Sequence, residues 1–146
     1  DREVGVFLFR QSKGVDLAIA TLSATGSITV RFTAAITAFE KVFYEPVAQS
    51  PHGAELMDAS ISIAADLMKK GQDRLEKSLA RTLDEATASK EVEFTRVSMT
   101  PIAFTRLLMS SIIGIKKHAT STNMFRRQIA EVVCIFMNSI NVASER

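Results

Sequence analysis

Five basic side chains flank one short turn: Lys116, Lys117 and His118 precede it, and Arg126 and Arg127 follow it. If the flanking helices run antiparallel, these cations meet at one end of the pair, where they could hold a phosphate group, an acidic partner or a neighbouring subunit. The first three are well placed, because positive charge in a last helical turn complements the helix dipole. Arg126 and Arg127 read as first-turn residues of the next helix, where each opposes the dipole by about 0.3–1 kcal/mol. That local penalty points to a use at the surface. The plainer account is a charged surface in which Arg127 pairs with Glu131 one helical turn away. Apart from Phe125, which belongs to a core stripe, no aromatic residue interleaves with the cations, so base stacking is not indicated.

Other chemistry finds less support. His52 and His118 are far apart, and neither belongs to a His-x-x-x-His or Glu-x-x-His pattern, so no metal or other cofactor is expected. Cys134 lies within Val-Val-Cys-Ile-Phe and reads as a small buried hydrophobe with an inert thiol. Asp84, Glu85, Glu91 and Glu93 interleave with Lys90, Thr87 and Ser89, which fits a solvated helix end better than a desolvated acid–base pair. No Gly-x-Ser-x-Gly elbow and no phosphate-cradling glycine loop occurs. The expectation is a protein with no catalytic residues, not an enzyme.

A second feature is apolar excess. Mean hydropathy is +0.13, six methionines add adaptable surface, and Val4, Val6, Phe7, Leu8 and Phe9 form a run with no polar face. Such a run either plugs a core or forms a patch for a partner, a second copy or a lipid.

The elements that must position these groups are mostly helical. Ser27 caps a predicted helix over 27–44, in which Ile28, Phe32, Ile36, Phe39 and Phe43 form one stripe before Pro46 ends it. Ser50-Pro51 opens another, with Met57, Ile61, Ala64, Met68, Leu75, Leu79 and Leu83 close to one face. Lys69-Lys70-Gly71 resembles a helix end, and Asp73 with Glu76 resembles a capping box. Met68 and Leu75 nevertheless stay in phase, which favours one helix over 52–88, kinked at Gly71. A solvated Gly71 would cost it about 1 kcal/mol relative to Ala. Thr100-Pro101 starts a further helix, and a last one runs over 123–142 with Phe125, Ile129, Val132, Phe136 and Ile140 inward. The first 26 residues are ambiguous. Residues 4–9 fit a helix or a short strand paired with 28–32, and Val15–Leu22 fits a short helix closing at Gly26.

Together these features predict an all-α fold, an antiparallel helical bundle of four to five helices in a single domain over 1–146. Net charge is only +2, which makes no strong case for nucleic acid or an anionic membrane. A lone cysteine is compatible with a cytoplasmic or other reducing compartment, and no apolar stretch approaches a transmembrane length. A chain opening on Asp1 reads as a trimmed or processed end. The expected function is a non-catalytic interaction or assembly module acting through protein partners or self-association. The alternatives are a carrier of a hydrophobic ligand lined by Met57, Met68, Phe39, Phe43 and Leu108, and nucleic-acid or phosphate binding through the 116–127 turn.

Overall fold

A computed structural model describes residues 2–43 and 53–142; the side chains of residues 3, 4, 7 and 53–64 lie outside the description. Among the described residues the fold is all-α, with helices α1 (Arg2–Ala20), α2 (Ile28–Phe43), α3 (Gly53–Ala88), α4 (Pro101–His118) and α5 (Thr122–Asn138). The expected stops at Tyr44 to Pro46 and the Ser50-Pro51 start lie outside the described residues. The strand alternative for residues 4–9 is overturned: both 4–9 and 28–32 are helical, and no hairpin joins them.

Local chemistry sets several boundaries. The Ser27 hydroxyl accepts from the Val30 amide at 3.2 Å, capping α2 as its sequence predicts. Thr100 caps α4 through Ala103 at 3.2 Å, with Pro101 in the first turn, and Ser121 caps α5 through Met124 at 3.1 Å. Between the 3-10 turn Thr21–Ser23 and α2, Gly26 has φ +124°, a conformation that side chains rarely tolerate. α3 is one continuous helix, so Asp73 and Glu76 form no capping box within it.

The helices close into a ring. α1 packs on α2 and α3, α3 on α4, α4 on α5, and α5 back on α2. The three-residue turn after His118 folds α5 back antiparallel along α4. One apolar cluster draws on every helix, with Phe32, Phe39, Leu79, Phe104, Leu108, Phe125 and Val133 among its buried members. Val15, Ala18 and Leu22 bring the α1 segment into that cluster.

Gly71 corrects the sequence reading. It is buried, and a Cβ there would lie 3.2 Å from Val15 Cγ2 and 3.4 Å from Phe39 Cε2, so its small size lets α1 and α2 approach α3. Replacing a solvated helical glycine should stabilise; replacing this one with Val should instead lower stability by about 1–3 kcal/mol through overpacking. Urea denaturation reads the difference, and a Gly71→Val protein at least as stable as the native chain would contradict the close approach.

The connection between α3 and α4 is held by the other end of the chain. Lys90 adopts φ 65° just past α3, and the Glu91 amide donates back to Ala86 at 2.8 Å. The Glu93 amide then donates to the Ile140 carbonyl at 2.8 Å and the Val142 amide to the Glu91 carbonyl at 3.2 Å, around an isolated antiparallel bridge from Val92 to Asn141. The predicted last helix therefore stops at Asn138, because residues 139–142 turn to meet this connection.

Candidate functional site

The basic end of the α4–α5 pair is smaller than the sequence suggests. Lys116 Nζ lies 2.8 Å from Glu40 Oε2, and the Glu40 side chain is only 4% exposed. This ion pair joins α4 to α2, which are not neighbours in the ring. Lys116 is thereby removed from the candidate patch and becomes a structural residue. Its sequence signal was available: Glu40 follows Ile36 by four residues and Lys116 follows Ile112 by four, so each extends an apolar stripe with a charge. Two opposite charges on inward stripes are best satisfied by each other.

Lys117, His118, Arg126 and Arg127 are exposed at that end, and Arg126 is itself engaged. α5 begins at Thr122, so Arg126 and Arg127 lie in its second turn. The dipole effect fades beyond the first turn, and the expected penalty there is correspondingly small. Among the described residues no ion pair joins Arg127 to Glu131.

The acidic segment is divided. Asp84 and Glu85 are exposed, as a solvated helix end requires. Glu91 is not idle: its Oε2 accepts from the Ile28 amide at 3.0 Å and its Oε1 lies 3.5 Å from Arg31 Nη2. It therefore supplies a carboxylate to the N-terminus of α2, which has no acidic residue in its first turn. Arg31 also donates to the Leu22 carbonyl at 3.0 Å and the Gly26 carbonyl at 3.2 Å, fastening the corner between α1 and α2. The partners are separated by 60 residues or more in sequence, and no local pattern announces them.

Cys134 is exposed, contrary to the buried position expected from its apolar neighbours. Val133 and Met137 face the core of α5, and Cys134 and Ile135 fall on the opposite side. Among the described residues no three His, Cys, Asp or Glu side chains gather as metal ligands would. Phe39, Phe43 and Leu108 are buried in the packed cluster and Met68 is half-buried against it, while Met57 lies outside the described side chains. A cleft of about 350 Å³ between the 3-10 turn and α3 is lined by Ser23, Ser78, Arg81, Thr82 and Glu85, and the Thr82 hydroxyl is bonded to the Ser78 carbonyl at 2.9 Å.

The most distinctive surface is the outer face of α1. Its inner face carries Gln11, Val15 and Ala18, all buried, and Gly14, where a Cβ would collide with Val42 of α2. On the outer face Val6 is 46%, Phe9 64% and Leu17 70% exposed. Leu8 is half-buried, and the side chains of Val4 and Phe7 lie outside the description. Lys13 reaches over the Phe9 ring at 5.8 Å from its centroid. Residues 6, 9, 13 and 17 are three or four apart and so share one face. Of the run over 4–9, the described side chains of Val6 and Phe9 are exposed and none is fully buried, while α1 enters the core further along, through Val15 and Ala18.

No protein family, curated protein or solved structure matches this chain. No helix among the described residues is long and apolar enough to cross a membrane.

Proposed function

We propose that this chain is a non-catalytic helical interaction module that engages a protein partner or a second copy of itself through the outer face of α1. The observation that carries this reading is the exposure of Val6, Phe9 and Leu17 along one face of a helix whose other face already completes the core. Single exposed apolar residues are ordinary, but three aligned on one helix face, with Lys13 between the last two, form a row of anchors suited to docking another helix.

A photo-crosslinking side chain in place of Phe9, introduced in the producing cell, tests this. It should give a discrete adduct that disappears when Leu17→Ser is added, whereas the same group at exposed Ala130 on α5 should give none. No adduct from position 9, or identical adducts from both positions, would overturn the reading. Because these side chains are largely exposed, Phe9→Ser with Leu17→Ser should change folding stability by no more than about 0.5 kcal/mol. A larger loss in urea denaturation would mean that the strip belongs to the fold and not to a partner.

A further inference from the structure

The charges around the α1 strip narrow what can cover it. Arg2, Arg10 and Lys13 are exposed on α1 and none forms an ion pair among the described residues. Among the α1 side chains that the structure describes, the one carboxylate, Asp16, is held by Arg74 of α3 at 2.6 Å. Among those side chains the strip offers Val6, Phe9 and Leu17 with three cations, Arg10 and Lys13 closest to Phe9, and no acid left unpaired. Resting on the docking role proposed above, we infer that its partner is an acidic amphipathic helix of another protein.

Two other occupants fit less well. A second copy docked about a two-fold axis through this face at Lys13 would set that cation against the Lys13 of its mate, with no unpaired carboxylate among the described side chains between them. A helix lying on an anionic bilayer carries its cations along the flanks of the apolar face. Here Lys13 stands in the middle, one turn from Phe9 and one turn from Leu17. A central cation between two apolar anchors matches a partner helix with an apolar residue, a Glu or Asp, and a second apolar residue at successive turns, each advancing about 6 Å. The carboxylate would meet the Lys13 ammonium as the apolar side chains covered Phe9 and Leu17, leaving no buried charge unpaired. Arg10 would then meet acids at the rim, where they set orientation and association rate more than affinity.

The test uses the full chain and three probes: an Ala-based helical peptide repeating Leu-x-x-x-Glu-x-x-x-Leu, its counterpart with Lys for Glu, and phosphatidylserine–phosphatidylcholine vesicles. Fluorescence anisotropy should show the acidic peptide binding about tenfold or more tighter than the basic one. Its affinity should fall between about 50 and 500 mM salt, as pairing between partly exposed charges requires. Lys13→Glu should transfer the preference to the basic peptide, an inversion that unfolding cannot produce. Phe9→Ser should abolish binding of both. Equal binding of the two peptides, or self-association lost with Phe9→Ser, would overturn the acidic partner while leaving α1 as a docking surface. Uptake by vesicles and by neither peptide would replace the protein partner with a membrane. A monomer that binds none of the probes overturns the acidic helix, and if position 9 also yields no crosslinked adduct the docking role falls with it.

Discussion

Lys116→Ala should destabilise the protein by about 3 kcal/mol, because it strands a buried carboxylate rather than removing a surface charge. Glu40 extends the inward stripe of α2, its side chain is 4% exposed, and Lys116 at 2.8 Å is its partner. Breaking such a pair typically costs about 3–5 kcal/mol, and the lower end applies because the Lys116 side chain, 23% exposed, leaves a path for water. Lys117→Ala, one residue along and exposed, is the matched control and should shift stability by no more than about 0.5 kcal/mol. The double replacement Glu40→Leu with Lys116→Met should recover most of the loss, since apolar side chains of similar volume often replace a buried pair at no net cost. Urea midpoints for the two singles, the double and the control complete the cycle. Equal, small effects of Lys116→Ala and Lys117→Ala would return Lys116 to the exposed basic patch.

Phe104→Ala should cost about 4 kcal/mol, the largest single loss expected. The ring is 2% exposed and sits edge-on between Phe94 and Phe136, with both centroids 5.5 Å away. Truncation therefore forfeits burial, leaves a cavity and removes two aromatic contacts that contribute beyond area alone. The loss should also be local. Phe94, beside the buried Val92, helps to hold the α3–α4 connection on the core, so the Glu93 and Val142 amides that join this connection to residues 140–142 should exchange faster with solvent. Phe104→Leu, which keeps most of the volume, should cost much less. Leu107→Ala on the same helix, where the side chain is 49% exposed, should have a minor effect. If Phe104→Ala and Leu107→Ala proved alike by denaturation and hydrogen exchange, the ring cluster would not be organising this end of the bundle.

The correction at Gly71 and the demotion of Lys116 share a cause. Each residue's own segment implies something simpler: a glycine in a helix weakens it, and lysines in a last turn favour the dipole. Both statements are sound locally. The structure adds that α1 and α2 press on Gly71 and that Glu40 waits buried opposite Lys116. Cys134 shows the same limit from the other side, since apolar neighbours in sequence point all around a helix and only some of them face inward.

By itself the sequence determined the class of fold and most of its punctuation. Ser27 and Thr100-Pro101 cap the helices they precede, and the in-phase stripe from Met68 through Leu83 belongs to one helix, α3. These are short-range effects: a cap bonds an amide two or three residues away, and a stripe records one helix's inward face. Only the tertiary structure decided that residues 2–20 are one helix, because a run apolar on both faces has no period until neighbours claim one side. Only there do Glu91 cap α2 from 63 residues away, and Glu40 meet Lys116 across 76. The exposed strip of Val6, Phe9 and Leu17 is likewise what remains once Val15 and Ala18 have been taken by the core. Which side of an apolar segment stays outside depends on the ring of helices around it, and no local pattern carries that information.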